Sequence, residues 1–263
     1  MKVTVVTASF NQGPFIKRCI DSILAQVGDF SIEHIVLDNC STDETSEILK
    51  NYERSPGAIE LDLTVAQDDG QTSAIIDGFQ RSSGDIVCWL NTDEWYEKGA
   101  IQKVVEYFHA HPEVDVLFGD CNFVDVAGHL VKKKQEFFFS ESMLLFYGCF
   151  IPSCSTFVRR RILDAGIFPN REFRIVMDAD WYIRISKAGF RFAHMRRSLA
   201  NFTWHETNIS KSFPERKEIE RWLILDQFGG IDGPKWFRRI VYYLIGKYWT
   251  FVRVLRRGIG SLS

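Results

Sequence analysis

Four clusters of polar residues each follow a short apolar run. Thr7-Ala8-Ser9-Phe10-Asn11 follows the run from Val3, and Asp38-Asn39-Cys40-Ser41-Thr42-Asp43 follows His34 to Leu37. Asp68-Asp69-Gly70-Gln71 follows Leu61 to Ala66, and Asn91-Thr92-Asp93-Glu94 follows Asp85 to Leu90. If the apolar runs are parallel strands, all four clusters share one sheet edge, where α/β proteins bind ligands. Crowded carboxylates are electrostatically costly without a cation or a donor-rich ligand. A hard divalent ion carrying a phosphate group relieves that cost. Taken singly, Asp43 reads as a helix cap, and Asp38 and Asp93 fit turn positions equally well. The shared edge is what points to a ligand.

The common phosphate loops are missing. No GxGxxG follows the first strand, and no GxxxxGK[ST] occurs, which disfavours dinucleotide oxidoreductases and P-loop enzymes. A nucleotide bound here needs a metal for its phosphates. No Ser–His or Cys–His arrangement calls for a covalent nucleophile.

The elements that hold these clusters alternate. Strand-like runs at Val3 to Ala8, His34 to Leu37, Leu61 to Ala66, Asp85 to Leu90 and Val114 to Phe118 are separated by helical stretches. Gly13-Pro14 opens a helix with Ile16, Cys19, Ile20, Ile23 and Leu24 on one face. Helices are also expected after Ser41-Thr42-Asp43, over Gln71 to Arg81 and over Lys98 to His111. The pattern predicts an α/β domain with a mostly parallel central sheet flanked by helices. The second half is less regular. It has a hairpin over Asn122 to Lys133 turning at Ala127-Gly128, a short helix over Ser142 to Tyr147, a strand over Ile151 to Val158, a helix over Asp180 to Lys187 and a chain extended in places over Phe190 to Thr203.

Val3 to Asn11, His34 to Asp43, Gly70 to Gly84 and Trp89 to Glu94 together resemble the family 2 inverting glycosyltransferases of the GT-A fold, of bacterial-polysaccharide type. The resemblance runs from Lys2 to about Ser212. It implies a Rossmann-like nucleotide-sugar half over 1–120, an acceptor half over 121–212, and a separate helical extension over 213–263. Thr7 and Ser9 would line the nucleotide pocket, Asp38 would take the base, commonly uracil, and Asp68 and Gly70 would sit against the nucleoside. Asn91 and Asp93 occupy the outer positions of the family's DxD motif. Asp93 would hold Mn²⁺ or Mg²⁺, while Asn91, lacking the charge, would contact ribose or sugar. Glu94 is either a further carboxylate of the site or the first turn of the next helix. Met177-Asp178-Ala179-Asp180-Trp181 resembles the acceptor-side motif, with Asp178 as general base. Asp180 points elsewhere and is structural or acceptor-binding. His205, in the stretch Phe202 to Ser210, would complete the metal or diphosphate site, and Lys211 and Ser212 would reach phosphate. Trp181 is expected in the core. Phe137 to Phe139, Tyr147 to Pro152 and Arg159-Arg160-Arg161 are candidates for the acceptor side.

The resemblance implies transfer of a sugar from a nucleoside-diphosphate sugar, UDP-sugar favoured, to a glycan or lipid-linked acceptor in cell-surface polysaccharide synthesis. The alternatives are a catalytically inactive nucleotide-sugar-binding or scaffold relative and a sugar-phosphate nucleotidyltransferase. For the latter, a basic glycine-rich N-terminal loop is lacking.

Composition narrows the partners. With 46% hydrophobic and 25% charged residues in 263, the chain is globular. A net charge of -2 is not that of a nucleic-acid binder. From 234 to 263 there are seven Lys and Arg and no acid, which leaves -9 on the remainder. That tail mixes cations with aromatics, and 234–257 suits an anionic membrane surface. The six cysteines form no CxxC, so neither a zinc site nor a disulfide framework is expected. The N-terminus lacks a signal-peptide pattern and no run is long enough to span a membrane. The expectation is a cytoplasmic protein, peripheral on the inner face of the cell membrane.

Overall fold

The structure is a computed structural model that describes residues 1–54, 59–205, 208 and 213–260, with side chains described through Leu255. In chain order it runs β1 (Lys2–Ser9), α1 (Gly13–Leu24), β2 (Ser31–Asp38), α2 (Thr45–Arg54), β3 (Glu60–Val65), α3 (Gln71–Arg81), β4 (Ile86–Trp89), β5 (Glu94–Tyr96), α4 (Ala100–Ala110) and β6 (Val116–Val124). It continues through β7 (Leu130–Lys134), α5 (Glu141–Phe146), a 3₁₀ turn at Ser153–Ser155, β8 (Thr156–Arg159), α6 (Arg161–Asp164), α7 (Met177–Lys187), β9 (Phe192–Thr203), α8 (Pro214–Phe228) and α9 (Lys235–Gly260).

One sheet serves both halves of the chain, in the order β3-β2-β1-β4-β8-β6-β9-β5, with β7 on β6. β1 to β4 are parallel neighbours, as the strand–helix alternation predicts. Beyond β4 the sheet is mixed: β8 is antiparallel to both β4 and β6, and β9 runs parallel to β6. The boundary expected at 212 lies outside the described residues.

Alternation along the central strands divides the core. Val3, Val5, Ile86, Cys88 and Leu90 face α1 and α4, joining Cys19, Ile23, Ile101 and Phe108. Val6, Val87 and Trp89 face the other way, joining Phe79 of α3 and Trp181 and Tyr182 of α7. Trp181 is fully buried, 5.6 Å from Trp89 and 5.3 Å from Phe79, and its Nε1 donates to the Ile167 carbonyl. It is core, as expected.

The acceptor-side expectations are corrected in part. Arg159 donates to the Val114, Phe108 and His111 carbonyls, Arg160 to the Gly84 carbonyl and Ser82 Oγ, and Arg161 pairs with Asp115. Since Arg159 is opposite Ile86 in the register, these arginines tie down the sheet edge where β4 begins, away from the polar clusters. Phe139 stacks on Phe192 at 3.9 Å and Phe137 lies against Arg253, so neither faces the site. Phe150 and Ile151 belong to the core.

Candidate active site

The carboxyl ends of β1, β2 and β4 open onto a cavity of about 480 Å³. Ser9, Asn39, Asp68, Gly70, Asn91, Asp93 and Glu94 line it from the first half of the chain. Arg174, Met177, Asp178, Phe202, His205 and Asn208 line it from the second. The expected nucleotide, metal and acceptor residues Ser9, Asp68, Gly70, Asn91, Asp93, Asp178 and His205 therefore share one chamber.

The loops that carry them are tied to one another. Asn11 and Cys40 both adopt left-handed backbone, with φ of 51° and 52°. Such conformations are uncommon outside glycine and concentrate at functional loops. The Asn11 amide donates to Ser41 Oγ, and Asn11 Oδ1 accepts from the Thr42 amide. Asp43 accepts from the amides of Thr45 and Gly13, so it caps the starts of α2 and α1 together. Asn39 Oδ1 accepts from the Asp68 amide, joining the loops after β2 and β3. Asp68 in turn accepts from the Gly70 amide. Gly70 opens α3 with φ of 100°, which a side chain would strain although space is free there.

Asn91 Oδ1 accepts from Gln71 Nε2 at 2.7 Å, and its backbone amide donates to Glu94 Oε2. Glu94 lies on β5 rather than in the first turn of a helix. It is buried at the cavity wall, and burial together with the nearby Asp93 charge pushes its carboxyl well above the ordinary range.

Asp93 Oδ2 lies 2.9 Å from His205 Nε2 and accepts from Asn208 Nδ2 at 3.0 Å. The Asp93 carbonyl accepts from the amide and hydroxyl of Thr203, which fixes β9 against this turn. His205 also stacks on Phe15 of α1 at 4.9 Å. Asp93 and His205 thus present a hard carboxylate oxygen and an imidazole nitrogen side by side, a donor pair that fits a divalent cation. Among the described residues no group of three or more His, Cys, Asp or Glu converges to hold an ion.

Asp178 stands in the first turn of α7, with Oδ1 accepting from the Ala179 amide. Burial raises its carboxyl above the usual value, opposed by the Ala179 amide, the Cys149 thiol and the charges of Lys134 and Lys217. A carboxylate with raised proton affinity is a better proton acceptor. The α7 start is itself held from α8. Glu220 accepts from the amides of Arg174, Ile175 and Val176, the residues that lead into the helix.

Other expectations are corrected here. Thr7 is fully buried two residues inside β1, and its Oγ1 lies 3.0 Å from His34 Nε2. It does not face the cavity. Asp38 is 1% exposed, and its two oxygens accept from the Ser41 amide and hydroxyl. It braces the loop, and its neighbour Asn39 faces the cavity instead. Asp180 pairs with Arg184 at 2.7 Å, away from the cavity, and is structural. Lys211 and Ser212 lie outside the described residues. Sequence reasoning missed Asn39 as a lining residue, and Asn208 and Arg174. Arg174 is the one Lys or Arg among the described lining residues. Asn208 had a signal in its position three residues after His205, whereas Arg174 had none.

The chain belongs to glycosyl transferase family 2, whose model matches residues 4–168. It is 28% identical over 179 residues to an uncharacterised glycosyltransferase of Nostoc sp., covering 64% of this chain and 54% of that protein. The chain thus spans about half the length of that relative. It is 27% identical over 133 residues to the GalNAc(5)-diNAcBac-PP-undecaprenol β-1,3-glucosyltransferase of Campylobacter jejuni, covering 50% of this chain and 41% of that enzyme. Among solved structures it resembles residues 1–349 of Staphylococcus aureus TarS in complex with UDP-GlcNAc, with a TM-score of 0.69 at 18% identity, covering 93% of this chain and 72% of that one. It also resembles a Pyrobaculum calidifontis mannosyltransferase in complex with GDP-Man and Mn²⁺, with a TM-score of 0.64 at 16% identity, covering 96% and 75%. These likenesses establish the GT-A fold.

Proposed function

We propose that the protein transfers a sugar, with inversion, from a nucleoside-diphosphate sugar, UDP-sugar favoured, to a hydroxyl of a glycan or lipid-linked acceptor in cell-surface polysaccharide synthesis. The observation that carries this reading is the single cavity that joins the Asp93–His205 pair to Asp178. The nucleotide of the TarS complex and the lipid-linked substrate in the Campylobacter enzyme's name support the substrate classes.

Residues 1–120 bind the donor. Asn39, Asp68 and Gly70 hold the nucleoside, and Ser9 offers a buried hydroxyl without a partner among the described residues. Asp93 and His205 would hold Mn²⁺ or Mg²⁺, which when bound would supply Lewis-acid neutralisation of the leaving diphosphate. Arg174 adds a fixed positive charge to a wall otherwise rich in carboxylates. Asp178 takes the proton of the attacking acceptor hydroxyl at its carboxylate oxygen. The loops braced by Asn11, Ser41 and Asp43 hold the two substrates in line. A single displacement of this kind inverts the anomeric centre without a covalent nucleophile.

The test is thermal stabilisation by UDP, GDP, dTDP and CDP, each with and without Mn²⁺, on wild type and Asp93→Ala. Ligand binding to the native state raises the melting temperature by mass action. A Mn²⁺-dependent shift for one nucleotide, lost in Asp93→Ala, supports the reading. No shift with any nucleotide overturns it.

A further inference from the structure

A second cavity of about 500 Å³ lies between α5, α8 and α9, outside the nucleotide site. Lys217 and Arg221 of α8 line it with Arg239 and Lys247 of α9, against one acid, Glu218. Its other walls are aromatic, including Phe146, Tyr147, Trp222 and Tyr243. Arg239 lies over the Trp222 ring at 4.7 Å and Lys247 over Tyr243 at 5.2 Å. Among the described residues none of these four cations has a carboxylate within ion-pair distance. The contrast with their neighbours on α9 is informative. Arg238 pairs with Asp226, and Arg253 is buried against Glu136, so those two cations fasten the helix to the domain. Tyr242, Gly246 and Trp249 complete that packed face, through Leu225, Phe146 and Ser142. Of the groove cations, Arg221 donates to the Phe146 and Tyr147 carbonyls and so ties α8 to α5, while Lys217, Arg239 and Lys247 keep their charge without a carboxylate partner among the described residues.

The opposite face of α9 is apolar and open. Trp236, Ile240, Leu244, Tyr248, Phe251 and Leu255 recur at helical spacing, each about half exposed or more. On α8, Ile219 and Leu223 are also exposed, at 62% and 53%. No described helix is long and apolar enough to cross a membrane. An amphipathic helix with cations flanking its apolar face instead lies in the plane of a lipid interface.

We infer that the α5–α8–α9 groove seats the phosphate headgroup of an anionic bilayer lipid while the α9 stripe enters the headgroup region. Charge complementarity fixes the choice of occupant, because a groove of four cations and one acid beside an apolar stripe matches a phosphate above acyl chains. The groove lies near the catalytic chamber: the charge of Lys217 is felt at Asp178, and Cys149, two residues beyond Tyr147, meets the same carboxylate. A bilayer docked there would lie beside the acceptor end of the cavity. This benefit to catalysis rests on the function proposed above, whereas lipid binding itself does not.

The test is partition of the full chain onto vesicles of phosphatidylcholine alone and of phosphatidylcholine mixed with phosphatidylglycerol. Wild type should bind the mixed vesicles, more weakly as salt rises. At about fivefold per cation near an anionic surface, the double variant Arg239→Gln, Lys247→Gln should bind roughly 30-fold more weakly. The double variant Ile240→Ser, Leu244→Ser should also bind more weakly but keep the salt dependence. The nucleotide-induced melting shift, measured on every variant, reports folding and the donor site separately. Equal binding of both vesicle types by wild type, or unchanged binding by the cation variant, overturns the inference and leaves the nucleotide reading standing. Vesicle binding without any nucleotide shift does the reverse.

Discussion

Ser9 and Asp178 represent two kinds of residue that the cavity wall holds ready. The Ser9 hydroxyl is buried with no hydrogen-bond partner, an arrangement that costs on the order of 1–3 kcal/mol. If the nucleotide supplies that partner, Ser9→Ala should leave the melting temperature of the free protein unchanged or higher. The same variant should bind nucleotide about fivefold more weakly, near 1 kcal/mol, by calorimetry. With Asp178 proposed as the proton acceptor, Asp178→Asn should lower turnover by about 10²- to 10⁴-fold while keeping the nucleotide-induced melting shift. Release of nucleoside diphosphate in the presence of acceptor measures it, and normal turnover would remove the role. Asp93, Asp178 and His205 were legible as candidates because the resemblance attaches to short local patterns. Thr7 and Asp38 were misplaced for a physical reason. Residue type says that a side chain suits a pocket, but not that Thr7 lies two residues inside the strand or that Ser41 already engages both Asp38 oxygens.

At the scale of elements, the alternation of strands and helices in the first half was readable because parallel strands need crossover helices and each leaves its periodicity in the chain. The antiparallel insertion of β8 between β4 and β6 was not, since a short apolar run carries no record of its partner. Nor was the dependence of α7 on α8. Glu220 sits in Glu215-Arg216-Lys217-Glu218-Ile219-Glu220-Arg221, which reads as a solvated helix face, yet it is 3% exposed and accepts three amides ahead of Asp178. Thr72 Oγ1 of α3 donates to the Phe173 carbonyl just upstream, so this segment is also tied to the first half of the chain. Glu220→Ala leaves three amides, that of Val176 in a buried bond, without their acceptor and should destabilise the protein by about 1–3 kcal/mol in denaturant titration. Because Arg174 and Asp178 line the chamber from this segment, transfer should fall further than nucleotide affinity. Glu220→Gln, which keeps an acceptor oxygen, should recover part of both losses. Equal losses in transfer and nucleotide affinity would show that the segment does not serve the acceptor side in particular.

Across the whole molecule, charge is arranged so that acid should weaken the fold through groups remote from the cavity. Burial holds the His34 imidazole down to about 3, and its Nδ1 has no hydrogen-bond partner inside the sheet. At the preceding residue of β2, burial would raise Glu33, but the Ser83 and Thr4 hydroxyls, the Ser83 amide and the Lys2 ammonium outweigh it and hold the carboxyl at about 2. Both groups bind protons less readily folded than unfolded, so each contributes stability that falls as pH falls. For His34 the contribution is complete above the unfolded value of about 6.5 and declines toward 3. For Glu33 it is complete above about 4.5 and declines toward 2. The two windows separate the residues. Between pH ~7.5 and ~5 only His34 of this pair contributes, and linkage gives a loss of about 2 kcal/mol, or roughly 4–8 °C in melting temperature for a chain of this size. In His34→Phe that portion of the slope should disappear whatever the variant's absolute stability, because no proton is taken up there on unfolding. Glu33→Gln should keep the slope down to pH ~5 and flatten the steeper fall below it. Melting temperatures across pH for the three proteins decide the matter, and a His34→Phe profile parallel to wild type would show that the imidazole is not held neutral in the folded protein.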